Sequence, residues 1–232
     1  MTQSNPTRLG SGSMFDAIAE RYDVLNRVLS LGIDQGWRRD AVDALELETG
    51  DHVLDLATGT ADLALQIAES ASVSVVGSDP SPNMLSVGRA KVKKSRARVT
   101  LDEGDAQALP YGENEFDACS MAFGIRNVPD RELALREMVR VVRPGGRIVI
   151  LELGEPDGTL IGPLARFHVH HVVPRIGALV SGQAEYRYLQ ESIAAFPSAP
   201  AFAALMQKSG VRDVEVRRLT FGAANLYVGR SR

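Results

Sequence analysis

Only one cysteine, Cys119, occurs among the 232 residues, so the chain cannot form an internal disulfide. This usage fits a reducing compartment. The sequence has no run of about 18 apolar residues and therefore predicts no transmembrane helix. The polar residues 1–13 also lack the apolar core of a signal peptide. We therefore expect a cytoplasmic protein.

Neither sign of charge is in strong excess. The chain has 26 lysines and arginines against 29 aspartates and glutamates, a net charge of −3. A broad basic surface for nucleic acid is therefore not expected. With 44% hydrophobic and 24% charged residues, the composition is that of an ordinary globular domain. We expect a single domain over 14–232, preceded by a disordered segment, 1–13.

Short apolar runs alternate with helical patterns through the middle of the chain. The runs that predict strands cover 51–57, 72–79, 97–105, 116–123 and 147–153. Strands that alternate with helices indicate βαβ units and a parallel sheet with right-handed crossovers. The fold class is therefore α/β.

The two ends of the chain differ from this middle part. Helical spacing predicts two helices within 14–47, separated at Gly32. Near the C-terminus, 211–220 and 223–231 predict an antiparallel hairpin that closes the sheet. The residues between the fifth strand and the hairpin are too many for a simple crossover. We expect a helical cap over about 155–209.

Acidic residues stand at the ends of the first three predicted strands. These residues are Asp55, Asp79 and Asp105, and Gly59 and Thr60 follow Asp55 in a small-residue loop. The carboxyl ends of parallel strands lie at one edge of a sheet, where ligands bind in open α/β folds. The loop allows a nucleotide to approach the backbone closely. The alternative is that each aspartate only caps the next helix.

The glycine spacing and the acidic charge of this edge limit the class of ligand that can bind there. A dinucleotide fingerprint would place glycines where Ala57, Gly59 and Asp62 stand. The carboxylates would also repel the negative charge of a pyrophosphate. They would attract the ammonium and sulfonium groups of S-adenosylmethionine (SAM) and accept hydrogen bonds from its ribose. Asp79 lies 20 residues after Gly59, where an acid can accept hydrogen bonds from both ribose hydroxyls. SAM is the predicted cofactor, and a nucleotide-dependent oxidoreductase is the alternative.

Several segments carry a family resemblance. They read VLDLATGTADLA (53–64), GSDPSPNML (77–85), GDAQALPYGENEFDACSMAFGIRNVPD (104–130) and VRPGGRIVILEL (142–153), and they resemble class I SAM-dependent methyltransferases. Narrower segments read MFDAIAERYDVLNRVLSLGIDQGWRR (14–39), PRIGALVSG (174–182) and EYRYLQESIAAFP (185–197). With AFGIRNV, these resemble the quinone C-methyltransferases of menaquinone and ubiquinone biosynthesis. The resemblance implies a Rossmann-like, mostly parallel seven-stranded sheet.

The resemblance also implies which residues bind the cofactor. The residues are Asp55, Gly59, Thr60, Asp79, Asp105 and Ala106, with Asp55 orienting the methionine end. Three positions depart from the common pattern. Ala57 and Ala61 stand where many methyltransferases have glycine, and Ala122 stands where family members often have serine next to the cofactor.

The activity implied by the resemblance is transfer of a methyl group from SAM to a ring carbon of a polyprenyl naphthoquinol. The loop sequence GTAD (59–62) resembles the menaquinone-type members and therefore favours a naphthoquinol substrate. The alternatives are the benzoquinol of the ubiquinone route or both substrates, an unrelated small molecule, and a non-catalytic SAM-binding subunit. A tailed substrate also implies peripheral association with the inner face of the membrane, and the oligomeric state is left open.

Arg126, Asn127 and Tyr22 are the predicted catalytic residues. A ring carbon becomes a good nucleophile when a neighbouring phenol loses its proton, and a guanidinium at Arg126 can stabilise the resulting charge. Asn127 adds a donor. We expect Arg126 to face a pocket and not the core. The alternatives are an ion pair between Arg126 and Asp130 or Asp23, and a purely packing role for Tyr22.

The histidines His168, His170 and His171 lie close together in the sequence, but their spacing does not resemble that of a structural zinc site. No metal is predicted. The apolar residues among them are expected to belong to the cap and to receive the prenyl tail. Residues 186–188 are expected to belong to the same cap, where their polar side chains could close over the ring.

Overall fold

The computed structural model describes residues 16, 19, 22–30, 32–154 and 183–232. The strands are β1 (His52–Leu56), β2 (Ser74–Asp79), β3 (Val99–Glu103), β4 (Phe116–Ala122), β5 (Val142–Leu153), β6 (Arg212–Leu219) and β7 (Ala224–Arg230). The helices are α1 (Tyr22–Ser30), α2 (Asp34–Ala44), α3 (Asp62–Ser70), α4 (Pro82–Lys94), α5 (Arg131–Val141), α6 (Gln183–Ala194) and α7 (Ala199–Lys208). Short 3₁₀ turns cover Ile125–Asn127 and Thr220–Gly222.

The strands form one seven-stranded sheet in the order β3-β2-β1-β4-β5-β7-β6. Strands β1 to β5 pair in parallel, whereas β7 pairs antiparallel with both β5 and β6. The strand order reverses between β1 and β4, which is the topological switch point at which open α/β sheets bind ligands. The predicted mostly parallel sheet with a C-terminal antiparallel hairpin is confirmed.

Side chains of the central strands alternate between two apolar layers. In β1, Val53 packs into the layer with Trp37 of α2, and Leu54 packs into the opposite layer with Leu135 of α5. Each of these side chains is buried. Because successive residues of a strand point to opposite faces, a sheet covered on both faces needs such near-continuous apolar runs.

The fifth strand begins earlier than the sequence analysis predicted. It starts at Val142, and its register against β4 shifts between Phe116 and Ala118. The segment 143–146, which precedes the predicted strand 147–153, therefore forms an irregularity within the strand. Gly146 is required there, because a Cβ at this position would lie 2.3 Å from the Asp117 carbonyl oxygen.

The last part of the predicted cap packs against the sheet instead. Helix α7 lies against β6, and its Phe202 and Met206 are fully buried in the core. These large apolar side chains place α7 on the sheet, so the cap does not extend to residue 209. The remainder of the expected cap before α6, and the N-terminal segment 1–13, lie outside the described residues.

Candidate active site

A cavity of about 930 Å³ lies beyond the carboxyl ends of β1 to β4. Its volume falls within the range of about 300–1,000 Å³ that is usual for small-molecule sites. The loop after β1 forms its floor, and residues that follow β2, β3 and β4 form its walls. From the N-terminal region, Asp16, Tyr22 and Arg38 also line it.

The loop after β1 takes up left-handed backbone conformations at alternate residues. Ala57, Gly59 and Ala61 have φ angles of 50°, 56° and 67°. Glycine adopts such angles without strain, which explains why it is common at these positions. The loop also packs closely on Gly124, where a Cβ would lie 2.5 Å from the Cβ of Ala57. The backbone therefore stays compact and leaves room for a ligand above it.

Asp79, at the end of β2, lines the cavity and is held by two backbone groups. The N–H groups of Gly59 and Ser81 donate to its two carboxylate oxygens at 2.9 Å each. Each oxygen keeps a further lone pair for a ligand hydroxyl. Burial raises the pKa of Asp79 to about 6, although the hydrogen bonds from Ser81 and Gly59 lower it.

Asp55 lies behind the loop and is not among the described residues that line the cavity. Its carboxylate accepts hydrogen bonds at 2.7 Å from the hydroxyls of Ser120 and Thr58. Burial raises the pKa of Asp55 to about 6. Thr58 lines the cavity, so Asp55 supports the loop from below. The expected role of Asp55 in orienting the methionine end could be exerted through Thr58, and it stays a prediction.

Asp105 and Ala106 both line the cavity beyond the end of β3. The Asp105 carboxylate accepts a hydrogen bond from the backbone N–H of Gln107 at 2.9 Å. The side-chain amide of Gln107 donates to the same oxygen at 3.0 Å. The structure therefore brings Asp105, Ala106 and Asp79 to one cavity, and their individual roles stay predictions.

Thr60 lines the cavity and also connects the loop to helix α1. Its hydroxyl donates to Asp23 at 2.6 Å and accepts from Lys91 at 2.9 Å. Lys91 further forms ion pairs with Asp23 and with Asp62, the latter at 2.6 Å. This cluster holds α1 over the loop and places Tyr22 of α1 in the cavity wall.

Arg126 is buried and does not belong to the described cavity lining, contrary to our expectation that it faces a pocket. Its Nη1 donates to Glu152 at 2.7 Å and to the carbonyl oxygen of Phe123 at 2.6 Å. Side-chain exposure is 6% for Arg126 and 0% for Glu152. Neither expected acid is its partner, because Asp130 caps α5 and Asp23 binds Lys91.

Asn127 lines the cavity beside Arg126 and contacts helix α6. The hydroxyl of Tyr188 donates to Asn127 Oδ1 at 2.9 Å. Burial raises the pKa of Tyr188, while the positive charges of Arg126 and Arg131 lower it. A group that lies beside Asn127 is therefore exposed to the positive field of two guanidinium groups.

Two charged residues of this region were not predicted as site residues from the sequence. Arg38 is a buried cation in the cavity wall, and Glu152 is the buried partner of Arg126. Glu152 interrupts the apolar run of β5 near its carboxyl end, which was a usable signal. Arg38 lies in the segment 14–39 that carries the family resemblance, but nothing in that segment marked it as a cavity residue.

The donor and acceptor groups of the cavity fit SAM. Asp79 offers acceptors for ribose hydroxyls, and the small-residue loop admits a ligand close to the backbone. Within the described ranges no cluster of metal-ligating side chains occurs, and His168, His170 and His171 lie outside them. A doubly wound sheet with this cavity at its switch point defines a class I SAM-dependent methyltransferase.

The comparison with known proteins gives the family. The sequence model of the ubiE/COQ5 methyltransferase family matches residues 1–231, and the chain belongs to this family. It is 48% identical over 221 residues to the demethylmenaquinone methyltransferase of Deinococcus radiodurans, covering 94% of this chain and 91% of the relative. It is 47% identical to the ubiquinone/menaquinone biosynthesis C-methyltransferase UbiE of Geobacter sp. (strain M21), covering 94% of both chains.

Among solved structures, the fold is similar to that of Haemonchus contortus phosphoethanolamine N-methyltransferase 2 in complex with S-adenosyl-L-methionine. The TM-score is 0.61 at 19% identity, over 80% of this chain and 49% of that chain. The cofactor of the present protein is SAM, and the NAD-type alternative is not supported.

The raised pKa of Asp79 predicts a pH dependence of SAM binding. If Asp79 accepts hydrogen bonds from the ribose hydroxyls as predicted, protonation below a pKa of about 6 removes an acceptor. SAM affinity should therefore fall as the pH drops from 7 to 5, by at most about tenfold per pH unit below 6. Calorimetry across this range measures it. The Asp79→Asn variant should show a shallower dependence, and a parent affinity that is constant over the range would contradict the prediction.

Proposed function

We propose that this protein transfers the methyl group of SAM to a ring carbon of a polyprenyl naphthoquinol, converting a demethylmenaquinol to a menaquinol. The observation that carries the proposal is the 48% identity to a demethylmenaquinone methyltransferase over 94% of the chain. This identity spans both the cofactor cavity and the segment after β4 that forms its outer wall. Both relatives are named as methyltransferases, which argues against a non-catalytic SAM-binding role.

SAM supplies an electrophilic methyl group on its sulfonium when bound. We propose that Asp79 accepts hydrogen bonds from the ribose, and that Asp105 and Ala106 contact the adenine end, because these residues line the cavity beyond neighbouring strands. Gly59 allows the cofactor to approach the loop closely. Thr60 lies in the same loop, but its hydroxyl is bound to Asp23 and Lys91 and therefore holds the loop in place.

We also propose that the quinol binds at the outer wall of the cavity, which Tyr22 and Asn127 form. The hydroxyl of Tyr188 donates to Asn127 Oδ1, and Asn127 Nδ2 donates to the carbonyl oxygen of Phe123 at 3.5 Å. These bonds fix the amide, and the second N–H of Nδ2 is the proposed donor to a quinol oxygen. A ring carbon attacks efficiently once the neighbouring quinol oxygen is deprotonated. The nearby charge of Arg126 would stabilise that quinolate, in the same way as it lowers the pKa of Tyr188 against the larger effect of burial.

An assay with two acceptors tests the proposal. Purified protein, SAM and a short-tailed demethylmenaquinol should give the methylated product, and the benzoquinol analogue should react more slowly. The benzoquinol route is the second candidate, because one relative is named for both ubiquinone and menaquinone biosynthesis. A faster reaction with the benzoquinol would make the benzoquinol the preferred substrate. Binding of SAM without turnover of either acceptor would support a non-catalytic subunit.

We further propose that the protein associates reversibly with the inner face of the membrane, because a polyprenyl tail partitions into lipid. No helix in the described part of the chain is long and apolar enough to cross a membrane. Liposome flotation tests the proposal. Binding or activity that does not depend on lipid would indicate a water-soluble substrate instead.

We propose separately that the protein forms a homo-oligomer. Light scattering, which measures the molar mass in solution, tests this.

A further inference from the structure

Arg38 is a buried cation with a hydrogen-bond donor that no described residue uses. Its exposure is 7%, and it forms an ion pair with Asp34 at a long distance of 3.7 Å from its Nε. The charge of Arg38 also lowers the pKa of the buried Asp55, although burial keeps that pKa raised. The Nε atom is buried and has no hydrogen-bond partner among the described residues. The guanidinium stacks over the ring of Phe123, with 5.2 Å between its Cζ and the ring centroid. A buried cation with an unused donor is costly unless a ligand supplies an acceptor.

Arg38 differs in charge from the other ionisable groups that line the cavity within the described ranges. The acids of the lining include Asp16, Asp62, Asp79 and Asp105, and Arg38 is the only lysine, arginine or histidine of the lining within the described ranges. SAM carries a ribose, two cationic groups and one carboxylate. The acids can bind the ribose and the cationic groups. The carboxylate needs a cation, and within the described lining Arg38 supplies it.

The position of Arg38 along the sheet agrees with this pairing. Asp105 follows β3 and Asp79 follows β2, so adenine and ribose occupy the side of the cavity near these strands. The methionine end then points towards β1 and β4, the next strands in the sheet. Arg38 lies there, against Phe123 at the end of β4.

We propose that Arg38 binds the carboxylate of the methionine end of SAM and so selects SAM over analogues without that carboxylate. The planar guanidinium can donate two parallel hydrogen bonds to a carboxylate, which a lysine cannot reproduce. This assignment rests on the SAM cavity alone and does not depend on which quinol is methylated.

The test compares the affinities of two probes, SAM and decarboxylated SAM, by calorimetry. The parent protein should bind SAM more tightly. In Arg38→Met, SAM affinity should fall by roughly 10- to 100-fold, as expected for the loss of a hydrogen bond between charged groups. The affinity for decarboxylated SAM should stay unchanged or rise, because the repulsion between Arg38 and this more cationic ligand is removed.

Three further variants make the result decisive. Arg39→Met, an exposed neighbour on the same helix, should leave both affinities unchanged. Arg38→Lys should lose part of the preference for SAM. If Arg38→Met fails to fold because Asp34 is left buried without its partner, the double variant Arg38→Met with Asp34→Asn replaces it. An equal loss for both probes would show a purely structural role, and an unchanged SAM affinity would show that Arg38 does not contact the cofactor. Either result overturns the proposal.

Discussion

Replacing Arg126 with alanine should destabilise the folded protein by about 3–5 kcal/mol, because Glu152 would be left fully buried with an uncompensated charge. The backbone N–H groups of Arg126 and Leu153 also donate to this carboxylate, at 3.1 and 2.8 Å, and cannot neutralise it alone. Urea denaturation measures the change. This expectation replaces the one drawn from the sequence, in which the fold survives because the residue faces a pocket.

The structural and chemical roles of Arg126 can be separated with a charge-neutral double variant. Removing both charges, in Arg126→Met with Glu152→Gln, should restore the free energy of unfolding to within about 1–2 kcal/mol of the parent, since neither residue then leaves a buried charge unpaired. The amide oxygen of the glutamine can still accept from the backbone N–H groups of Arg126 and Leu153. If the charge of Arg126 stabilises the quinolate, this stable variant should still lose turnover by on the order of 100-fold. Its SAM affinity should change little.

The single variant Glu152→Gln is the matched control. It keeps the guanidinium and removes the acid, and it should also be destabilised because Arg126 is left buried without its partner. Turnover is therefore measured per folded protein, and it should fall far less than in the double variant. A double variant that is folded and turns over at the parent rate would contradict the electrostatic role and leave Arg126 as a structural ion-pair partner only. A double variant as unstable as Arg126→Ala would contradict the assignment of the stability loss to an unpaired Glu152.

Replacing Asp79 with alanine should weaken SAM binding by about 1.5–3 kcal/mol, a loss of roughly 10- to 150-fold in affinity. The variant removes the acceptor for the ribose and also the partner of the Gly59 and Ser81 backbone N–H groups. Asp79→Asn keeps one acceptor oxygen and should lose less. Calorimetry with SAM gives both affinities.

Asp102→Ala controls for the loss of a negative charge near the cavity. Asp102 is an exposed acid of β3 outside the cavity lining, and its removal should leave SAM affinity unchanged. An Asp79→Ala variant that stays folded and binds SAM as tightly as the parent would show that Asp79 only closes the turn after β2.

The fold could be predicted from the sequence because its signals are local. The strands are short apolar runs bounded by turns, and their alternation with helices determines a parallel sheet. The boundary of the cap was wrong because Phe202 and Met206 fit either a cap or a sheet-packing helix in periodicity alone. Only the tertiary structure shows that α7 packs on β6.

The cofactor side of the site was predictable for the same reason. Asp79, Asp105 and the Gly59 loop follow strands directly, and topology brings strand ends together. Partners that are distant in the sequence could not be read from it. Glu152 lies 26 residues from Arg126, and Tyr188 lies 61 residues from Asn127. Alanine itself gives no signal for the left-handed conformations of Ala57 and Ala61, and the glycines common at these positions in similar methyltransferases were the usable signal.

The position of the transferred methyl group tests the central claim most directly. The protein is incubated with SAM carrying a ¹³C-labelled methyl group and with a short-tailed demethylmenaquinol under reducing conditions, and the product is examined by NMR. We predict that the label appears as a methyl bonded to a quinone ring carbon. A label on a quinol oxygen, as a methoxy group, or no label in the quinol while SAM binds normally would contradict C-methylation.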